Sequence, residues 1–303
     1  MRIGITGATG FIGRKVCRLA AEAGHEVIAY SRHPIAEPIP GVAETFQQPL
    51  GTPWALPETP LDALIHLAGE NLLGFWNADK KRRIRDSRVL FTRQMVDHLA
   101  TWKTPPAALI SASGIGYYGS RGDEELTEQS TPGSGFLAEV CIDWEAAAMG
   151  LQERCGSRVA LLRTGVVLGH DGGAFQLQRL IFKLGLGGPI GSGKQWMSWI
   201  HADDEAALIL RIATDPSVSG PVNLCAPTPV TNAQYTQALG RALHRPAFIP
   251  APAFAMRLIM RDMADEMLLC SQRGICGAAE KMGYRFAHPT LESALSQLVR
   301  PSP

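Results

Sequence analysis

The chain has 303 residues, a formal net charge of +1 and 46% hydrophobic residues, enough for a globular protein of one large or two modest domains. The balanced charge gives no electrostatic reason to expect nucleic acid or a membrane as partner, and no apolar run reaches the roughly 20 residues of a membrane span. The six cysteines lack zinc-type spacing and a strand begins at Arg2, so we expect a reduced cytoplasmic protein with no leader segment and no metal site.

The first 170 residues alternate strands with helices. A strand over Arg2–Thr6 leads through a glycine turn into a helix over Phe11–Ala23, and a second strand follows at 25–32. This order predicts a right-handed βαβ unit. The elements predicted after it are a weak strand at 43–47, a strand at 62–69, a long helix at 77–101, a strand at 107–114, a helix at 136–154 and a strand at 157–169. The pattern predicts an α/β fold with a Rossmann-type doubly wound parallel sheet.

The remaining sequence predicts a smaller second unit. A helix is expected at Glu205–Thr214, capped by Asp203 and Asp204, and a strand at 220–227. After residue 245 the composition changes to a Met-rich helical stretch, which ends in GYRFAHPTLESALSQLV, a small strand and a terminal helix. We therefore divide the chain into a Rossmann domain over 1–245, with interleaved substrate loops, and a small C-terminal α/β domain over 246–299 on the substrate side.

The sequence GATGFIG joins the first strand to the first helix. Glycines at this turn let the backbone approach a pyrophosphate, and the helix N-terminus adds unpaired N–H groups and a positive dipole end. In its strand–turn–helix context the motif predicts a dinucleotide site. The residues expected to contact the cofactor here are Gly7, Thr9, Gly10, Phe11, Ile12 and Gly13.

The end of the second strand indicates which dinucleotide is bound. An NAD site favours an acidic residue there, to bind the ribose 2′-hydroxyl. This chain has Ser31 and Arg32 instead, and a hydroxyl and a guanidinium suit a 2′-phosphate. A surface arginine with no ligand is the alternative. We predict NADP(H) as cofactor.

Two further segments are predicted to complete the cofactor site. Small residues at Leu67, Ala68 and Gly69 end the fourth strand, at the sheet edge where dinucleotides lie. The basic run KKRRIRDSR is typical of a solvated helix face, but its last member, Arg88, adjoins the apolar sequence VLF. We predict that Arg88 points inward to the cofactor.

A second glycine-rich segment, GPIGSGKQ, matches the spacing of a nucleotide-triphosphate loop. Gln195 stands where such a loop needs a Mg²⁺-binding Ser or Thr, and no clear strand precedes the segment. We therefore reject a triphosphate site.

Taken together, these segments resemble an extended-type short-chain dehydrogenase/reductase of the NAD(P)-dependent epimerase/dehydratase family, in the epimerase-like branch that carries a small C-terminal domain of unknown function. The resemblance spans nearly the whole chain and rests on ITGATGFIG, VIAYSR, HLAGEN, SASGIGYYG, FLAEVCIDWE, LLRTGVVLG, SWIHADD and GYRFAHPTLESAL. It implies that the Gly165–Val166 turn approaches the nicotinamide. The other NADP(H) contacts that it implies are Ser31, Arg32, Leu67, Ala68 and Arg88.

The segment FLAEVCIDWE lacks the residues that such relatives use for catalysis. They employ a Ser or Thr, a Tyr that transfers a proton, and a Lys whose charge lowers the pKa of that Tyr. Ser113 supplies the hydroxyl, but the Tyr position falls on Leu137 and the Lys position on Cys141. The neighbouring register gives Phe136 and Val140. Neither register contains the dyad.

Two main hypotheses about the function follow, and a third is weaker. The first is an NADP(H)-dependent oxidoreductase or epimerase of the nucleotide-sugar epimerase type, which acts on an unidentified small molecule through Ser113 and Tyr117. Tyr117 could equally form a pocket wall, and Lys194 and His201 lie on loops expected to close over substrate, although His201 also suits a structural role. The second is a catalytically silent NADP(H)-binding regulator or sensor that acts through a partner, as relatives linked to cell division suggest. The third is a scaffold with an empty site. The helices at 77–101 and 136–154 could form a homodimer interface.

Overall fold

A parallel sheet lies at the centre of the computed structural model, which describes residues 1–32, 34–35, 37–47, 58–173 and 175–300. The strands are β1 (Arg2–Thr6), β2 (Glu26–Ser31), β3 (Glu44–Gln47), β4 (Ala63–His66), β5 (Ala108–Gly114), β6 (Glu125–Leu126), β7 (Arg158–Thr164), β8 (Val166–Leu168), β9 (Trp196–Met197), β10 (Trp199–His201), β11 (Gly220–Leu224), β12 (Val230–Thr231) and β13 (Arg273–Gly274). The helices are α1 (Phe11–Glu22), α2 (Ala78–Arg85), α3 (Phe91–Leu99), α4 (Phe136–Cys155), α5 (Phe175–Lys183), α6 (Ala202–Thr214), α7 (Asn232–Leu243), α8 (Ala253–Met260), α9 (Gly277–Lys281) and α10 (Leu291–Leu298).

The central sheet has seven strands in the order β11-β7-β5-β4-β1-β2-β3, all parallel. The chain first builds outward from β1 through β2 to β3, then returns to β4 on the other side of β1. The strand order therefore reverses between β1 and β4, which is where such sheets bind their ligands, at the carboxyl edge. The predicted doubly wound Rossmann-type fold is confirmed.

Alternating strand residues build a separate core on each face of the sheet. Ile3 and Ile5 of β1 pack with residues of α1 and α6 such as Val16 and Ile209. On the opposite face, Leu64 of β4 and Leu109 of β5 pack with Met95 of α3 and with residues of α4. Because both faces are covered, the central strands are apolar at nearly every position.

The long helix predicted at 77–101 is interrupted. A π-helical turn over Asp86–Leu90 lies between α2 and α3. Such turns insert one residue into the helical register and are frequent at functional sites. This one carries Arg88.

Two other predicted elements differ from the structure. The strand predicted at 157–169 divides at Gly165, since β7 belongs to the central sheet whereas β8 pairs with β10. The small strand predicted in GYRFAHP is wrong: residues 284–290 form no strand, because the N–H groups of Ala287 and His288 donate to the carboxylate of Asp204 at 2.7 and 2.9 Å. Helices α5 and α7 were not predicted.

The caps predicted for α6 are also wrong. The helix begins at Ala202, and His201 is its cap, accepting the Asp203 N–H at Nδ1. Asp203 instead pairs with Lys15 at 2.8 Å, and Asp204 holds the C-terminal segment as described above. His201 thus has the structural role that was one of its two predicted options.

The C-terminal segment is joined to the loop that follows β5. Strand β13 pairs with β6, and the Asn223 amide donates to the Leu126 and Ile275 carbonyls at 3.0 and 2.9 Å. These contacts anchor the segment beside the carboxyl edge of the sheet. Within the described part of the chain, every helix is too short or too polar to cross a membrane.

Candidate cofactor and substrate site

The turn between β1 and α1 has the geometry of a phosphate cradle. Gly7 has a φ of +72°, and its carbonyl accepts the Gly10 N–H at 2.9 Å. A Cβ on Gly13 would lie 2.1 Å from the Gly7 oxygen, so only glycine fits there. The first turn of α1 has no side-chain cap, which leaves its N–H groups directed to a ligand. These residues fit the pyrophosphate of a dinucleotide.

The other residues predicted at this turn surround it. Thr9 is exposed and its carbonyl accepts from Arg14, while Ile12 packs against the core. The ring of Phe11 contacts the loop after β8, where a Cβ on Gly169 or Gly172 would come within 2.3 or 2.6 Å of it. The loop after β8 therefore contacts the start of α1.

Arg32 follows the last residue of β2 at the carboxyl edge of the sheet. Its side chain is exposed, and its guanidinium carbon lies 5.6 Å from the centroid of the Phe91 ring. Residues 30–32 are Tyr, Ser and Arg, with no carboxylate. A positive charge therefore stands where an NAD site has a negative one.

The segment after β4 lies beside the glycine turn, since a Cβ on Gly7 would come within 2.8 Å of the Leu67 carbonyl carbon. Only Ala68 and Gly69 stand between Leu67 and Glu70, so this part of the segment carries no bulky side chain. The Arg88 guanidinium packs over Gly69, donates to the Glu70 carbonyl at 3.0 Å, and lies 5.3 Å from the Trp144 ring centroid. The structure thus turns Arg88 inward, whereas Arg82, Arg83 and Arg85 of the same run are exposed.

His66, at the end of β4, lies buried beneath this edge and was missed by sequence reasoning. Its two ring nitrogens lie 2.7 and 2.9 Å from the hydroxyls of Thr6 and Thr92. Burial, together with the charges of Arg32 and Arg88, lowers the pKa of His66 to about 3. The imidazole is therefore neutral at physiological pH, and the two arginines remain the local source of positive charge.

Ser113, the predicted hydroxyl, lies inside a buried network. It donates to Glu145 Oε1 at 2.7 Å, and Glu145 receives two further bonds from Arg163, at 2.9 and 2.8 Å. Burial opposes the charge of Arg163, but the hydrogen bonds and negative charge of Glu145 outweigh it and raise the pKa of Arg163. A charged residue within the apolar strand VALLRT was the available signal for this network. Ser113 is thus placed to orient Glu145.

Tyr117, the predicted phenol, lies on a 3₁₀ turn directly after β5. Its ring is half-buried, and the Arg163 guanidinium carbon lies 3.5 Å from its centroid. Tyr118 beside it is fully buried, with its hydroxyl 2.8 Å from Asn223 Oδ1 and 2.9 Å from Arg163 Nη1. Of the two tyrosines, Tyr117 is the more exposed.

The dyad positions on α4 are filled by apolar groups. Leu137 packs against Gly116, where a Cβ would lie 3.3 Å from the leucine Cβ, and Cys141 is buried beside Gly114. Burial, reinforced by the charge of Glu145, raises the pKa of the Cys141 thiol to about 11. Neither side chain ionises at neutral pH, so these two positions provide neither a phenol nor an amine.

The C-terminal segment supplies a carboxylate at this helix end, another feature that the sequence did not indicate. Glu266 accepts the N–H groups of Phe136 and Leu137 at 2.8 and 3.1 Å. Gly135, which has a φ of +114°, packs against the same carboxylate. A negative charge at a helix N-terminus is favourable, so Glu266 fixes the start of α4.

The remaining loop residues have different environments. The half-buried Val166 donates its N–H to the Ser198 carbonyl at 2.8 Å, so β8 and its turn adjoin the 196–201 strands. Lys194 is exposed. The rejected triphosphate segment precedes a two-residue strand, and Gln195 donates to the Ile190 and Leu268 carbonyls. Trp199 is part of the core.

Comparison with known proteins relates the whole chain to one family. The model of the NAD dependent epimerase/dehydratase family matches residues 3–225, and that of a domain of unknown function, DUF1731, matches residues 251–298. An epimerase family protein of Mycobacterium bovis is 39% identical over 97% of this chain and 96% of its own length. The mouse epimerase family protein SDR39U1 is 37% identical over 99% of this chain and the whole of its own.

Solved structures agree with this relation. Human epimerase family protein SDR39U1, crystallised with NADPH, superposes with a TM-score of 0.86 at 35% identity, over 98% of this chain and 99% of its own. The nucleoside-diphosphate sugar epimerase of Corynebacterium glutamicum gives a TM-score of 0.76 at 36% identity, over 99% of this chain and 58% of its own. This chain belongs to the NAD-dependent epimerase/dehydratase family, in the group that carries a C-terminal DUF1731 domain.

Proposed function

We propose that this protein binds NADP(H) in preference to NAD(H). The carrying observation is the pair of guanidinium groups, Arg32 and Arg88, at a carboxyl edge where β2 ends without a carboxylate. A 2′-phosphate beside Arg32 would form charge-assisted hydrogen bonds, which a 2′-hydroxyl cannot match. The NADPH found in the human relative supports this choice.

A binding titration of NADPH and NADH tests the preference. Arg32→Ala should weaken NADPH binding by about 1.5–3 kcal/mol and leave NADH nearly unchanged, the scale of one charge-assisted hydrogen bond. Arg85→Ala, which removes an exposed arginine from α2, is the matched control and should change neither affinity. Equal loss of both dinucleotides in Arg32→Ala would contradict the assignment of this residue to the 2′-phosphate.

The chemistry that we propose is hydride transfer to or from a small polar substrate. Bound NADP(H) supplies the hydride donor or acceptor, and this chain must move the accompanying proton without the usual Tyr–Lys pair. Tyr117 is the partly exposed phenol on the turn after β5, and Arg163 packs against its ring. Ser113 holds Glu145, and Glu145 holds Arg163. We therefore propose that the Tyr117 hydroxyl transfers this proton and that Ser113 is a positioning residue.

Turnover measurements separate these roles. We expect NADP⁺ reduction with members of a panel of nucleoside-diphosphate sugars, or NADPH oxidation with members of a panel of small carbonyl compounds, and a roughly 100-fold or greater loss of kcat in Tyr117→Phe with unchanged NADPH affinity. Ser113→Ala should instead change stability and kcat together, because it loosens the buried network. Full activity of Tyr117→Phe would refute the assignment.

One observation favours a second candidate, a cofactor-responsive protein without turnover. Leu137 and Cys141 fill the relay positions with groups that stay neutral, as expected if catalysis has been lost while the cofactor cradle has been kept. This candidate predicts that NADPH raises the melting temperature, that no compound of either panel oxidises NADPH or reduces NADP⁺, and that NADPH changes the affinity for a protein partner. Oxidation of NADPH or reduction of NADP⁺ with any panel member would exclude it.

We also propose a cytoplasmic location and a homodimer. All six cysteines are free thiols, as in a reducing compartment, and α4 with α2 and α3 offers a helical surface for pairing. Light scattering after gel filtration measures the oligomeric state.

A further inference from the structure

Large apolar side chains are exposed along α5, the segment after it, and α8. Seven of them, between 55% and 79% exposed, define what we term the apolar surface: Leu180, Leu184, Leu186, Phe248, Phe254, Leu258 and Ile259. Helix α8 has the sequence AFAMRLIM, yet none of its residues is buried. Exposed apolar area of this extent usually marks an interaction site.

Backbone hydrogen bonds hold these segments next to one another. The Ile249 N–H donates to the Gly187 carbonyl at 3.1 Å, and the Ala251 N–H donates to the Pro189 carbonyl at 2.9 Å. Arg245 Nε donates to the Lys183 carbonyl at 3.2 Å. Residues 183–191 thus run beside 245–251, which lead directly into α8.

The charge around the apolar surface is positive. Residues 172–202 and 216–261 contain no aspartate or glutamate. The exposed lysines and arginines on these segments are Lys183, Lys194, Arg241, Arg245, Arg257 and Arg261. Acids from other segments pair with two of them, Glu292 with Arg241 and Asp265 with Arg257, and Asp262 pairs with Lys81. The segments that carry the apolar surface therefore hold more cations than acids, although the net charge of the chain is only +1.

We propose that the apolar surface docks onto an anionic lipid bilayer, with its leucines, isoleucine and phenylalanines in the headgroup region and the lysines and arginines around it at the lipid phosphates. Apolar side chains combined with basic ones are the composition of helices that lie in a membrane interface, and each cation near an anionic leaflet adds attraction. A second copy of this chain fits less well, because a twofold contact would place cation-rich surfaces against each other.

Vesicle flotation tests the proposal. The full chain should float with vesicles of phosphatidylcholine and phosphatidylglycerol in equal parts, and much less with phosphatidylcholine alone. The double variant Phe254→Ser/Leu258→Ser should lose at least about tenfold in partitioning, since two exposed anchors are removed. Leu90→Ser, which changes an exposed leucine between α2 and α3, is the matched control and should float like the wild type. Because all three side chains are exposed, circular dichroism should show unchanged folding.

Charge variants and the oligomeric state complete the test. Lys183→Glu/Arg245→Glu should abolish the preference for anionic vesicles, whereas Arg18→Glu on α1 should preserve it, and added salt should weaken binding. Failure of the wild type to float with anionic vesicles would overturn the proposal, as would equal flotation of the Phe254→Ser/Leu258→Ser variant. A dimer in sedimentation velocity that this variant dissociates would also overturn it, by assigning the surface to a second copy.

Discussion

Glu205, in the first turn of α6, should make stability depend on pH. The side chain is 4% exposed, and its Oε2 has no hydrogen-bond partner among the described residues. Burial raises its pKa from an ordinary 4.5 to about 8, and a hydrogen bond with Thr164 opposes this only weakly. The folded protein therefore holds a proton at neutral pH that the unfolded chain releases. This difference costs about 3 kcal/mol of stability at pH 7.

The substitution Glu205→Gln keeps the shape of the side chain and removes this cost. Because the folded pKa is raised, the stability associated with the proton is complete below the unfolded pKa and is lost progressively as the pH rises toward the folded one. We expect urea denaturation to show equal stability of the two proteins near pH 4.5 and an advantage of about 3 kcal/mol for Glu205→Gln near pH 7. Glu153→Gln, at an exposed position of α4, should show no such trend. A Glu205→Gln difference that does not change with pH would refute the reasoning.

Three further predictions concern the cofactor cradle and the contacts around α4. Gly13→Ala places a Cβ 2.1 Å from the Gly7 oxygen, so NADPH affinity should fall by at least about tenfold in a fluorescence titration. Arg163→Met leaves Glu145 charged and buried, which should lower the free energy of unfolding by about 3–5 kcal/mol in urea, and adding Glu145→Gln should recover part of the loss. Glu266→Gln keeps an acceptor but removes the charge at the start of α4, which should cost about 1 kcal/mol, seen as a lower melting temperature.

The features that the sequence predicted depend on local patterns. The glycines of GATGFIG, the alternation of strands and helices, and the inward position of Arg88 within a solvated basic run all follow from spacing and neighbouring residues. The lack of a tyrosine and a lysine in FLAEVCIDWE is likewise a property of the sequence alone. These properties require no knowledge of which distant segments meet.

The features that were missed depend on contacts between distant segments. The alternation in GYRFAHP resembles a strand, but the N–H groups of Ala287 and His288 donate to the Asp204 carboxylate instead. Asp203 and Asp204 follow His201 and resemble helix caps, but His201 itself, in an extended conformation, accepts the Asp203 N–H. Glu266 reaches the start of α4 from 130 positions along the chain. No sequence periodicity or motif indicates a contact between residues so far apart in the chain.

The contacts of Glu266 have a consequence for dissecting this protein. If the chain were cut near residue 245, the start of α4 would lose its carboxylate, Asp204 would be left charged without the amides that solvate it, and Asn223 would lose the Ile275 carbonyl. Each loss removes a hydrogen bond that the larger unit makes with the extension. We therefore expect the larger unit to be less stable without its C-terminal extension, and heat to melt the two in a single calorimetric transition.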